Sequence, residues 1–310
     1  MIRAFVGVLL ALTAPQVGRA QDPFVLPGDG REPNTGSAFD SLIQAQQTGM
    51  AAPPAGSATG GGGAAALDYD NGNDPSRVRK RFTFRNEYTR FANGLGVNTT
   101  TLQAAFPILQ EEKLKANFGF DLPLNYYEVK SPIDAILSGV GDMKAQVVFV
   151  RPASERVTFV FGSNLWLPTA DQRLLRLPNS NTFTTADLST GKIRLEPLFG
   201  TVFFVNKNLF VIPFYAHDLS IAGQRDRPSI NRGTARLFVN YSLPKGYYVS
   251  SETQFLINFN NGNDLDAFQR IEFGKAFKNG TVVYAKPGFG IGPGPFNREW
   301  GIEAGLRFLF

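Results

Sequence analysis

The only histidine of the chain, His217, is followed at once by Asp218 and three residues on by Ser220. A hydroxyl nucleophile, a base and an orienting carboxylate are the parts of a hydrolytic centre. Their spacing speaks against one. The surrounding residues read as a strand, in which successive side chains point to opposite faces, so the backbone separates His217 from Asp218. His217 and Ser220 are an odd number of positions apart and are parted in the same way. His217 is expected to be a structural histidine, and no catalytic residue is assigned. Asp68-Tyr69-Asp70-Asn71-Gly72-Asn73-Asp74 begins as a calcium loop does. Its sixth position is Asn73, where glycine is wanted, and its twelfth is Arg79, a cation in place of a bidentate glutamate. It reads as hydrated linker. Gly288, Gly290, Gly292 and Gly294 approach a phosphate cradle, but no helix follows to complete it, and they suit a strand end better. There is no cysteine, hence no disulfide and no thiol chemistry. No metal site and no cofactor are expected.

The remaining chemistry is ionic, and it is periodic. Basic residues Arg85, Lys115, Lys144, Arg194, Arg236, Arg270 and Arg307 and acidic residues Glu87, Asp121, Asp142, Glu196, Glu252, Glu272 and Glu303 each sit in a segment that alternates with a period of two. In residues 234–243, Ala235, Leu237, Val239, Tyr241 and Leu243 alternate with Thr234, Arg236, Asn240 and Ser242. In residues 249–259, Val249, Phe255, Ile257 and Phe259 oppose Ser250, Glu252, Gln254 and Asn258. Phe82, Phe84 and Tyr88 oppose Arg85 and Glu87; Ile193, Leu195, Phe199 and Phe203 oppose Lys192, Arg194 and Glu196. Strands with one apolar and one charged face are those of a membrane β-barrel, with lipid outside and a polar lumen inside. The partition is enforced, because Lys or Arg facing lipid at mid-bilayer costs about 2–4 kcal/mol.

Twelve such strands are expected, near residues 81–91, 98–107, 113–122, 142–151, 157–167, 192–205, 209–219, 231–243, 247–259, 267–277, 281–290 and 299–310. An even number fits an antiparallel up-and-down barrel. From the fourth strand on, every second link is a short turn: Pro152-Ala153-Ser154, Asn206-Lys207-Asn208, Pro244-Lys245-Gly246 and Lys278-Asn279-Gly280. The links between them, 125–141, 168–191, 222–230, 260–266 and 291–298, are longer. This is the asymmetry between periplasmic turns and external loops in outer-membrane barrels.

The ends give the route to the membrane. Met1-Ile2-Arg3, an apolar run from Ala4 to Ala14 and Gly18-Arg19-Ala20 form a secretory signal peptide, residues 1–20. Its apolar run is too short to span a bilayer as a helix. Residues 21–76 are a low-complexity periplasmic tail, with Ala51-Ala52-Pro53-Pro54 and Gly60 to Gly63. Within it, 38–47 has the spacing of a short amphipathic helix that would lie in the barrel mouth as a plug, against the simpler reading of an unstructured tail. Residues 77–310 are the barrel. The final strand alternates through Trp300, Ile302, Ala304, Leu306, Phe308 and Phe310. Leu306, Phe308 and the terminal Phe310 resemble the assembly signal of bacterial outer-membrane barrels, although Leu309 is apolar where that signal more often has a polar residue. The 28 phenylalanines and nine tyrosines would supply the aromatic girdles. The net charge of +5 is not gathered into a basic tract, so no nucleic-acid partner is expected.

Ser138-Gly139-Val140-Gly141-Asp142 leading into a strand, Leu167-Pro168-Thr169, Tyr215-Ala216-His217-Asp218 and the closing Trp300-Gly301-Ile302 resemble elements of the MetA-pathway of phenol degradation family. The resemblance spans residues 80 to 310. It implies an outer-membrane transporter-like barrel tied to passage of small compounds, aromatic ones among them, in a Gram-negative bacterium. It assigns no residue-level mechanism. The expected partners are outer-membrane lipid, the outer-membrane barrel assembly machinery and a small-molecule solute. Two functions remain open: a channel through a narrow charge-lined lumen, and a non-conducting structural or adhesive barrel.

Overall fold

The computed structural model describes residues 69–73, 78–129, 135–170, 172–176, 183–260, 263–292 and 298–310. The signal peptide, the stretch 38–47 and the Gly/Ala-rich part of the tail lie outside the described residues.

The strands are β1 (Arg81–Phe91), β2 (Leu95–Gln110), β3 (Lys115–Val129), β4 (Ala135–Val140), β5 (Met143–Ser154), β6 (Val157–Leu167), β7 (Gln172–Arg176) and β8 (Phe183–Asp187). They continue as β9 (Lys192–Asn206), β10 (Leu209–Gly223), β11 (Asn231–Ser242), β12 (Tyr247–Asn258), β13 (Asp264–Ala276), β14 (Thr281–Gly290) and β15 (Arg298–Leu309). Every pairing in the large sheet is antiparallel, and it closes on itself because β1 pairs with β15 on one side and β2 on the other, while β2 also pairs with β3. Twelve strands form the wall: β1–β3, β5, β6 and β9–β15. Closure leaves none of the twelve wall strands, among the described residues, at a free edge, as a wall surrounded by lipid requires.

Two expected links differ. Residues 125–141 are not a loop: β3 continues to Val129, and β4 returns on it from Ala135. β4 and β5 pair with the same strand in registers one residue apart, with Gly141-Asp142 at the step (Leu124 faces Val140, Asp121 faces Lys144). The two segments thus act as one long strand with a bulge. The long link 168–191 contains a hairpin of its own, β7–β8. Both departures lie in links at the end of the barrel that carries the long connections, where the alternation used to place the wall strands gives no signal.

One end of the barrel, the turn end, carries Arg81, Leu309 and the short connections; the other, the loop end, carries the long ones. At the turn end, Lys245 and Gly246 both take positive φ (62° and 80°) within the Pro244–Gly246 turn, and a Cβ on Gly246 would strike the Ala276 carbonyl oxygen. Burial alternates along the wall: in β1, Arg81, Thr83, Arg85, Glu87 and Thr89 are buried while Phe82 and Phe84 are exposed. The exterior is apolar and aromatic, including Phe118, Phe161, Phe199, Tyr215, Leu237, Phe273 and Ile302.

Candidate functional site: the lumen

All twelve ionic residues singled out as lumen-lining, Arg85, Glu87, Lys115, Lys144, Arg194, Glu196, Arg236, Glu252, Arg270, Glu272, Glu303 and Arg307, are buried inside the barrel. Asp121 and Asp142 are there too. The alternation that hides the aromatic residues from water on the outside aims these groups inward.

They form a lateral network. In β11–β15 and β1, Glu252 accepts from Arg236 at 3.0 Å and faces Lys286 at 2.9 Å, while Glu87 faces Arg270 at 3.0 Å. Arg307 meets both oxygens of Glu272 at 3.1 Å and lies 4.0 Å above the Tyr284 ring. The hydroxyls of Tyr248 and Tyr284 donate to Glu272 and Glu303, each at 2.6 Å. In β2–β11, Lys144 pairs with Asp121 at 2.7 Å, and Asp218 bridges Arg194 and Arg232 at 2.9 and 2.8 Å. Trp166 lies between these groups: Arg194 and Lys144 stand over its ring at 4.5 and 5.2 Å, and its indole N–H donates to Glu196 at 3.2 Å.

Sequence reasoning missed part of this constellation. Arg81, Asp218, Arg232, Lys286 and Arg298 are equally buried in the lumen. The strand ends hid Arg81, Arg232 and Arg298, while Lys286 lies beside Pro287 in a glycine-rich strand whose period is weak. The alternation of β14 (Val282, Tyr284, Lys286 inward) was still the signal that would have found it.

The lumen is also not polar throughout. Near the turn end of β5, β6 and β9–β11, an apolar cluster of Val148, Val150, Val160, Leu198, Val202, Phe210, Ile212, Phe214, Ala216 and Phe238 fills the interior together with Val78. These strands are apolar on both faces there (Val147-Val148-Phe149-Val150; Phe210-Val211-Ile212), so period alone could not separate inside from outside. Packed apolar side chains fill this sector, and the charged side chains occupy the rest of the lumen.

Segments outside the wall are seated at each end. At the turn end, Asn71 and Asn73, part of the expected linker, are buried in the lumen. Asn73 donates to Asn240 at 3.1 Å and accepts from Arg307 at 3.2 Å; Asp70 pairs with Arg79 at 3.3 Å. At the loop end, Leu188 packs on Val97 and Tyr127. The Asp142 carboxylate holds the following residues by accepting from Ser189 Oγ at 2.6 Å, from the Thr190 N–H and hydroxyl at 2.9 Å each, and from the Ala170 N–H at 3.3 Å.

His217 faces outward. Its two ring nitrogens are engaged by Tyr215 and Asn231, each at 2.8 Å, and the ring stacks on Phe259 at 5.5 Å. Asp218 is on the lumenal face, bound to its two arginines, so the pair does not cooperate. Leu306 and Phe308 lie on the outer face, and Phe310, 78% exposed, is tied by its N–H to the Lys80 carbonyl at 3.0 Å.

No protein-family model matches the chain, and no curated protein does. Solved structures do. An outer membrane channel from Pseudomonas putida F1 superposes with a TM-score of 0.61 at 12% identity, over 74% of this chain and 95% of that one. The NanC porin gives 0.50 at 13% identity, over 73% and 98%. The translocator domain of the autotransporter NalP from Neisseria meningitidis also gives 0.50, at 10% identity over 74% and 87%. At such identities the likeness is one of fold: the chain folds as a bacterial outer-membrane β-barrel.

Proposed function

We propose that the protein is an outer-membrane channel that passes a small solute along the charged sector of its lumen, in a conformation closed at both ends. The observation that carries this reading is that segments outside the wall, 69–73 and 188–191, are held at the two ends by hydrogen bonds to lumenal side chains. Such contacts can be exchanged without disturbing any strand pair. The charges add to it. An interior that only needed filling could be apolar throughout, as the β5–β11 sector shows, and burying ions carries a desolvation cost that apolar packing avoids. Among the described residues the buried set holds eleven Lys and Arg against eight Asp and Glu, a balance that favours anions. The likeness to a channel and a porin supports the same reading, as does the resemblance to the MetA-pathway of phenol degradation family, which adds aromatic compounds to the range of solutes. The protein is read as a non-enzyme, with residues 1–20 as its signal peptide and 21–76 as its periplasmic tail.

The second reading, a non-conducting structural or adhesive barrel, is favoured by one observation: nearly every lumenal ion is paired across neighbouring strands. Conductance in planar bilayers decides between them. The chain lacking residues 21–76 should conduct more than the full chain. Arg236→Gln, Arg270→Gln and Arg307→Gln should shift its selectivity toward cations. Absence of conductance in both forms overturns the channel reading and leaves the structural one.

A further inference from the structure

Lys275 stands on the face of the wall that meets lipid. Along β13 the inward residues Arg270, Glu272 and Ala276 are buried, so the alternate positions Phe273 and Lys275 point outward. Lys275 faces Tyr247 in the β12–β13 pair at the turn end, and the next outward pair is Val249 with Phe273. A cation on this face is tolerated only close to the headgroups. Lys275, two residues from the Phe277–Gly280 turn, meets that condition.

Its ammonium has a built seat. Nζ lies 4.7 Å from the centre of the Tyr247 ring and 5.2 Å from that of Phe277, and it donates to the Tyr247 hydroxyl at 3.3 Å. That bond uses one of three N–H groups and leaves the tyrosine O–H free to donate, so two donors stand side by side. Both rings are exposed on the outer face. They hold the cation but supply no carboxylate. Residues 241–251 and 273–285, which carry both flanking turns, contain Lys245, Lys275 and Lys278 and no Asp or Glu. Lys278 lies over the Tyr69 ring at 5.8 Å. Among the described residues none of the three lysines is in an ion pair. Elsewhere at this end the balance differs: the turns after β2 and β5 set Glu111, Glu112 and Glu155 beside Lys113 and Arg156.

The geometry points to a docking site for an anionic phospholipid, of the phosphatidylglycerol kind, on the outer face of β12 and β13 at the turn end. The lipid phosphate accepts from the Lys275 ammonium and the Tyr247 hydroxyl. Lys245 and Lys278, two and three positions along the chain from these donors, add attraction for a negatively charged headgroup. The acyl chains run toward mid-bilayer along Val249 and Phe273, the next apolar pair on the same face. The site requires neither conduction nor a solute, so it stands or falls apart from the channel reading.

The test folds the full chain in detergent micelles with equal amounts of phosphatidylglycerol and phosphatidylcholine of the same acyl chains. Native mass spectrometry then reads which lipid the protein retains. Phosphatidylglycerol should be retained in excess. Lys275→Gln should lower that excess about fivefold, the worth of one cation at an anionic surface. Tyr247→Phe, which keeps the ring and removes the hydroxyl, should lower it too, while Lys207→Gln, in the turn after β9, should leave it as it is. Heat-modifiable gel migration shows that each variant is a folded barrel. No excess in the parent protein, or an excess that survives both Lys275→Gln and Tyr247→Phe, would overturn the site. An equal loss from Lys207→Gln would reduce it to diffuse attraction and overturn it as well. If inorganic phosphate strips the lipid and sodium chloride of the same ionic strength does not, the donors belong to free phosphate and the lipid assignment falls.

Discussion

Glu252 offers the sharpest test of how the lumen is held. Its Oε1 faces Arg236 at 3.0 Å and its Oε2 faces Lys286 at 2.9 Å, with all three side chains at most 3% exposed. Arg236→Gln leaves the Glu252–Lys286 pair intact, so the loss is that of a hydrogen bond to a charged group, about 1.5–3 kcal/mol. Lys286→Gln should behave alike. Glu252→Gln is the same size of change in shape, yet it strips the shared carboxylate from two buried cations at once. Breaking a buried pair from one side costs about 3–5 kcal/mol, and here both cations pay it in part, so the upper end of that range is expected. Reversible urea unfolding of the barrel in lipid vesicles, followed by tryptophan fluorescence and by heat-modifiable migration, would rank the three. The double change Glu252→Gln with Arg236→Gln should recover part of the loss, because one of the two cations that Glu252 served is gone. If Glu252→Gln proves no more destabilising than either cation change, the shared-carboxylate account is wrong.

Leu237 follows Arg236 directly but faces lipid near the middle of β11 and is 43% exposed. Leu237→Arg, and likewise Phe255→Arg, should cost about 2–4 kcal/mol through the charge alone and reduce insertion into vesicles, whereas Arg236→Gln leaves insertion largely intact; equal yields for both would remove the basis for dividing the faces. Phe310→Ala, or loss of Phe310, should lower the amount of folded barrel recovered from outer membranes if the exposed terminal ring is read during assembly. An unchanged heat-modifiable band would show that it is not.

Much of the wall was legible because lipid imposes a strict period. The strands at 157–167 and 281–290 agree with β6 and β14 at both ends, and the ionic residues chosen from alternation all lie inside. What stayed hidden lies where that constraint lapses. Val148 and Ile212 are flanked by apolar residues on either side, so nothing local says that they point inward. Arg298 begins its strand and has no preceding alternation to place it. Asn73 looked like solvated linker because its partners, Asn240 and Arg307, are more than 160 positions away in sequence and meet it only when the barrel exists. Asp142 was chosen as a lumenal charge, but its role in holding Ser189 and Thr190 depends on a step in strand register that composition does not encode.

The seam between β1 and β15 sets an order of events. Arg81 faces Leu309, so the first wall strand finds one of its two partners only when the last has been delivered, and no earlier cylinder can exist. Pairing across such a separation is entropically late and intrinsically slow. Asn73 precedes β1 by a few residues, yet it binds Arg307 inside the finished wall. It must therefore be enclosed as the seam shuts, or enter afterwards through the turn end. In the first case every newly made barrel is born stoppered, and opening is an event that comes after assembly.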